Sequence, residues 1–399
     1  MSPVASDLTV GERVAMARKV AGLNQHALAL RANYSTSMVR AVEQGREPAS
    51  PAFVAAVARG LSIESEELYG QPYRDLLDDE GGVAGLVELR TLFAEGAHLT
   101  PLEPDPPGEL AAELERVRRM RHTDRAHQAI ALMPVLLRQL RGAAERAAAD
   151  DERGYAQRLT AQAYANTAQM VYRFGWTTLA AQAIDRMDVA AESSDDPLLL
   201  AHAAQQRSLL LLTHASYGAG ETLVRRSLDL LAGRPDTERV LALRGSAHLR
   251  GAIISARAWD VERAREHIAE ARAIGARIGR TSAAYDTNFG PGNVDIHDVA
   301  VSLELGDPGR AAREGSALRL PSDVRASRIG HHWQDVARAW VLAGDHRQAL
   351  HALTRAKRAA PQQTRHHPQV HETARAIVLS ERRKSDSIAH FTSWLGLHV

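Results

Sequence analysis

Apolar residues recur along almost the whole chain at the three- and four-residue spacing of a helix, and no Val/Ile/Thr-rich alternating run stands out. Between Asn24 and Gly45 the pattern predicts two short helices joined by a tight turn. Ala27, Leu28 and Leu30 supply a packing side for the first, and Met38, Val39 and Val42 an inward face for the second. Ser35 stands where an N-cap belongs, its hydroxyl placed to accept from a free backbone N–H of the first turn. Thr36, Ser37, Arg40 and Gln44 are left pointing outward. Short polar side chains near a helix start, with an arginine one turn on, suit a DNA major groove. From this stretch alone, an ordinary helical hairpin with a solvated face reads the same way.

Further along, Asp75 to Gly82 is acidic and ends in two glycines, and Thr100 to Gly108 holds four prolines, a semi-stiff extended linker. Between these breaks, Val83 to Ala97 reads as one amphipathic helix with Leu86, Leu89, Leu92 and Phe93 on a shared face. It can belong to either side or mediate dimerisation. The expected division is residues 1–72, a linker with one helix over 73–108, and a helical array over 109–399.

That array repeats. Trp333, Val336, Ala337, Trp340, Gly344, Ala349, Leu353, Ala356 and Pro361 match the tetratricopeptide (TPR) pattern of large, small, turn and stop positions. Large residues fill the gap between paired helices, small ones allow close approach, Gly opens the turn and Pro ends the unit. Tyr164, Ala168, Val171, Gly175, Ala180 and Ile184 follow the same register. Ala252, Ala264, Ile268 and Ala271 follow it more loosely around Trp259-Asp260, and Gly306-Asp307 marks another turn before Ala311 and Leu318. A further pair is expected to turn near Gly218 to Gly220. Residues 110–148 form a leading pair without a signature.

The flanks of the first hairpin carry a resemblance. Gly22-Leu23-Asn24-Gln25, Ser35, Glu43-Gln44-Gly45-Arg46, and the helix end Ala58 to Leu61 followed by Ile63 together resemble the XRE/lambda-repressor-like helix-turn-helix family over roughly residues 9–70. With the repeats, the expected fold is all-α: a five-helix helix-turn-helix domain, implied by the resemblance, followed by a TPR-like α-solenoid. It implies that Gln25 contacts a backbone phosphate, that Thr36, Ser37 and Arg40 read bases, and that Arg18 and Glu43 form an internal pair. Gln44 and Arg46 join the expected DNA-binding set. Ala41 departs from the family, since it cannot hydrogen-bond a base edge, and Asn33 replaces a common turn glycine that Asn can mimic. Asn288 to His297 and His331 to Ala339 also resemble actinobacterial regulators that fuse such a domain to such an array. That group implies a homodimeric, ligand-responsive transcription factor on a pseudo-palindromic operator, similar to peptide-sensing regulators.

Charge narrows the expectation. The 399-residue chain carries 49 Lys/Arg against 48 Asp/Glu, so any DNA affinity must come from a local patch. Residues 1–60 hold seven Lys/Arg and four acids, a modest bias that favours two copies on a dimer. Cysteine is absent, which excludes disulfides, thiol nucleophiles and Cys-ligated metals. Among 18 histidines no H-E-x-x-H occurs, and no P-loop, dinucleotide fingerprint or G-x-S-x-G is present. No metal, cofactor or enzymatic activity is expected, and the N-terminus and hydropathy lead to a cytoplasmic expectation without membrane contact.

The array's first helices should line a groove. Register places Gln162, Asn166, Gln169, Arg173, Arg207, His214, Arg250, Asn293, His297, Asp335 and Arg338 on it, amides and arginines able to hold a peptide or a small-molecule effector. The loop Asn288 to Val294 either plugs the core through Phe289 or shapes one wall. An alternative is an interaction adaptor whose array binds a protein partner and whose DNA-binding unit is secondary.

Overall fold

The computed structural model describes residues 8–79, 82–380 and 386–397, and among them no strand occurs. Five helices make the head: α1 (Val10–Val20), α2 (Gln25–Ala32), α3 (Thr36–Glu43), α4 (Pro51–Leu61) and α5 (Ser65–Tyr69). Their starts are set by side-chain caps. Thr9 and Glu12 form a capping box on α1, Asn24 caps α2, Ser35 caps α3 by accepting from Met38 N at 3.2 Å, and Ser50 caps α4. The α2–α3 turn closes through Asn33 in the left-handed conformation, φ 56°.

Two apolar assignments need correction. Leu30 is 70% exposed and Met38 38%, whereas Leu28, Ala29, Ala32, Val39 and Val42 fill the head's core. Successive helical residues turn by about 100°, so Met38 lies at the rim of the Val39–Val42 stripe and Leu30 faces away from the Leu28–Ala32 one.

A short α6 (Arg74–Asp79) leads to α7 (Leu86–Glu95), which packs on α10 and α12 of the array. Its Leu89, Leu92 and Phe93 are buried with array residues in one cluster. The proline-rich stretch is pinned rather than free: Leu102 N donates to Arg138 O at 3.1 Å, and Gly142 leaves no room for a side chain beneath it.

The array opens with α8 (Pro107–His122), α9 (Ala126–Ile130) and α10 (Met133–Arg146). Five antiparallel hairpins follow: α11 (Asp150–Arg173) with α12 (Thr177–Ser193), α13 (Pro197–Thr213) with α14 (Tyr217–Leu231), α15 (Glu238–Arg257) with α16 (Val261–Ile278), α17 (Pro291–Glu304) with α18 (Pro308–Ala317), and α19 (Ala326–Leu342) with α20 (His346–Ala359). Three short helices close it: α21 (Pro361–Arg365), α22 (Pro368–Ser380) and α23 (Asp386–Trp394). This is a TPR-like helical solenoid.

Gly175, Gly306 and Gly344 open three of the hairpin turns at φ 83°, 78° and 84°, while Ala215 and Trp259 take the same left-handed position at 49° and 62°. The second pair therefore turns at Ala215, not at Gly218 to Gly220, which lie inside α14. Gly220 instead serves as that pair's small position, because a Cβ there would meet Ile254 Cδ1 at 3.2 Å. Phe289 is fully buried against Gly245, whose missing side chain makes the space, so it is a core plug.

Candidate functional site: an exposed helix over a polar cavity

The outward face of α3 is set up from below. Arg18 grips Glu43 with two hydrogen bonds, Nε to Oε1 at 2.6 Å and Nη2 to Oε2 at 2.8 Å, and its Nη1 donates to Leu23 O at 2.8 Å. Burial pulls the Glu43 carboxyl up, but hydrogen bonds from Arg18 and Gln25 outweigh it and hold it below the usual carboxylate range. Gln25 Nε2 donates to Glu43 Oε2 at 2.8 Å, and Gln25 Oε1 in turn accepts from Arg40 Nε at 3.4 Å. A chain of contacts thus runs from the head's interior to the α3 surface.

Ser37, Arg40, Gln44 and Arg46 are exposed; Thr36 is half-buried, its Oγ1 3.2 Å from His26 Nδ1. Arg46 Nη2 donates to Gln44 Oε1 at 2.6 Å. Of the six residues read from sequence, the structure joins Gln25 to Arg40 and Gln44 to Arg46, and places Thr36 and Ser37 at the start of the same helix. His26 was missed; its signal is its position at the start of α2, next to Gln25. Leu379 of α22 approaches the Gly45 turn, but α3 itself packs on α1 and α2.

Behind this surface the head docks on the array. Arg59 Nη1 donates to Ala215 O at 3.0 Å and Ser65 Oγ to Thr213 O at 2.7 Å. Gln369 Nε2 reaches Tyr69 Oη at 3.2 Å and Ala49 O at 3.4 Å, and Tyr73 stacks on His371 with ring centroids 4.2 Å apart.

Between head and array lies a cavity of about 440 Å³, within the range of small-molecule sites. Its roof is Pro51 and Ala55 of α4, Ser65, Glu66 and Tyr69 of α5, and Gln71. Its walls come from the first helix of every hairpin, α11, α13, α15, α17 and α19. Seven sequence-derived positions meet there: Gln169, Arg173, Arg250, Asn293, His297, Asp335 and Arg338. Four do not, for physical reasons. Gln162 and Asn166 share the α11 stripe but lie beyond the cavity, where Arg121 of α8 reaches Asn166 (Nε to Oδ1, 3.1 Å). Arg207 faces α12 and pairs with Asp185 and Asp188. His214 lies past the end of α13, exposed.

Sequence reading also missed wall residues one heptad from those it found. Arg257 follows Arg250, Glu304 follows His297, and Arg328 precedes Asp335 by seven positions, which returns to the same face within about 20°. Arg338 Nη1 lies 3.0 Å from Glu304 Oε1 and Arg257 Nε 3.5 Å from Glu304 Oε2, so three successive first helices share one buried carboxylate. Burial raises Glu304, but Arg338 and Arg257 outweigh that and leave it lowered. The loop before α17 also contributes: Asp286, Thr287 and Asn288 line the wall, and Tyr285, Asp286 and Asn288 all sit at positive φ, which Asp and Asn tolerate and Tyr does not. Asp286 is held by Arg121 and His122. The loop is thus both core plug and wall.

His202 on the wall and His371 under the head are each 3% exposed, and burial pushes both imidazoles down to about 3. Their neutral forms are favoured in the folded chain, so the unfolded chain takes up protons first. Stability is then complete above pH 6.5 and falls as pH drops below it, at about 1.4 kcal/mol per pH unit per group. Each should cost about 2 kcal/mol by pH 5. Urea midpoints at pH 7.5 and pH 5 check this; equal midpoints would contradict it.

Residues 9–68 match the helix-turn-helix domain family. The helix-turn-helix match spans the head and stops before the array. Among solved structures, the chain is similar to BtubC (BKLC) from P. vanneervenii at 15% identity and TM-score 0.35, over 70% of this chain and 93% of that one. It is also similar to the TPR domain of P58(IPK) at 15% identity and TM-score 0.20, over 94% and 99%. No curated protein matches the chain significantly. Among the described residues no helix is long and apolar enough to cross a membrane.

Proposed function

We propose that the chain is a sequence-specific DNA-binding transcriptional regulator, acting as a homodimer, whose array holds a peptide or small-molecule effector beneath the helix-turn-helix head. The observation that carries this reading is the exposure of Ser37 and Arg40 on a helix whose other face is anchored in the head's core, with Gln44 and Arg46 exposed just past its C-terminal end. Arg40 is placed to reach a guanine edge, with Thr36 and Ser37 beside it; Gln25, Gln44 and Arg46 flank it as phosphate contacts. Met38, outward at the rim, offers an apolar surface to a thymine methyl.

One head with a modest positive bias binds weakly and with strong salt dependence. Two heads on half-sites about one helical turn apart raise affinity and select a pseudo-palindrome. Regulation follows from the shared roof. Ser65, Glu66, Tyr69 and Gln71 belong to the head's side and line the cavity, so an occupant touches head and array together. A ligand favouring one head position shifts that equilibrium by its differential affinity.

In vitro selection of the full chain on random duplexes tests the reading. Enrichment of two related half-sites separated by about one turn is expected; no enriched sequence would contradict DNA recognition, and a lone half-site would contradict the dimer.

A further inference from the structure

The cavity wall carries two arginines without an acid. Arg250 of α15 has no hydrogen bond or ion pair with any described residue, although it lines the cavity with its surroundings excluding water from most of the side chain. Arg328 of α19 spends its Nε on Asn293 Oδ1 at 2.9 Å and lies 3.4 Å from His297 Nδ1, again with no carboxylate in ion-pair range. Two of the wall's acids are engaged elsewhere, Glu304 between Arg257 and Arg338 and Asp286 with Arg121 and His122; Asp335 lies 3.5 Å from His331 and acts on Arg328 only from beyond ion-pair range. Glu66 sits in the roof, raised by burial. Both guanidiniums are half-buried, and a charge that has lost part of its hydration without a counter-charge is left poorly compensated.

Both cations line the same cavity. Burial lowers the Arg250 guanidinium to about 10, and repulsion from Arg328 adds to it. Guanidiniums opening on one cavity are the usual grip for a carboxylate or phosphate. Nearby, Asn288 Oδ1 and Gln363 Oε1 are buried on the wall without a donor from the protein. Those acceptors suit hydroxyl or amine groups.

We infer that the cavity binds a small organic anion, its carboxylate or phosphate seated between Arg250 and Arg328 and its hydroxyl or amine donors turned to the amide oxygens. This rests on the effector reading above and narrows it. The roof of α4 and α5 over a cavity of about 440 Å³ favours a compact molecule over an extended peptide.

Thermal unfolding of the full chain tests it, with citrate or inorganic phosphate against sodium chloride at matched ionic strength. A saturable rise of about 2–4 °C over chloride is expected from citrate or phosphate. Arg250→Gln and Arg328→Gln should abolish that rise. In chloride alone Arg250→Gln should unfold at or above the wild-type temperature, because it removes an uncompensated charge. No rise from either anion, or an Arg250→Gln variant less stable than wild type in chloride, would overturn the assignment; the second would mark Arg250 as structural. The selected duplex separates the two readings: retained DNA recognition without an anion effect defeats this inference alone.

Discussion

Arg40→Ala is expected to abolish sequence-selective DNA binding while leaving the fold in place. The side chain is exposed, and its one hydrogen bond is the 3.4 Å contact to Gln25, so stability should change by less than about 0.5 kcal/mol. A good arginine–base contact contributes about 1–3 kcal/mol of discrimination, and a homodimer makes it twice. The predicted loss is therefore about 2–6 kcal/mol, or roughly 30-fold to 10⁴-fold in affinity for the selected duplex. Residual binding should keep most of its salt dependence, since the proposed phosphate contacts are untouched by the substitution. Gel shifts at two salt concentrations, with a melting curve for each protein, check both halves. Full retention of selective binding would remove α3 from its assigned role.

Arg18→Ala is expected to cost about 3–5 kcal/mol, because it leaves Glu43 ionised and enclosed without its bidentate partner. The two side chains are 11% and 5% exposed, so solvent screens them little. Urea unfolding followed in the head reads the loss; a change below about 1 kcal/mol would contradict it. Replacing both partners, Arg18→Met with Glu43→Leu, should recover much of the stability, since neither charge is then orphaned. DNA affinity should stay low in the double variant. Gln25 would have lost the carboxylate that holds its amide, and through Gln25 the Arg40 side chain would lose its rest position. Stability and DNA binding would thus separate at one site.

Much of this architecture was legible because helices advertise themselves locally. Ser35, Asn33 and the repeat register of α19 and α20 are written in residue types whose conformational reasons are short-range. Period gives the direction of a face but not its width, which is why Leu30 and Met38 fell outside the cores assigned to them. Groove positions were found where a single helix face decides them, as at Arg250 and Asn293. They failed where another element intervenes: Arg121 engages the far part of the α11 stripe, and Asp185 and Asp188 draw Arg207 to α12. The docking of Ser65 on Thr213, or of Gln369 on Tyr69, joins surfaces far apart in sequence and leaves no periodic trace. The roofed cavity was therefore invisible, although most of its walls were not.

The proposed regulation requires that α3, the helix proposed to read DNA, and the cavity wall are parts of one coupled body. Hydrogen exchange of the full chain, with and without its selected duplex, tests this directly, since coupling between two sites is reciprocal. Altered protection is predicted not only across α1 to α4 but also along the wall segments 246–257 and 327–338, which DNA would not touch. Changes confined to residues 9–61 would contradict the claim.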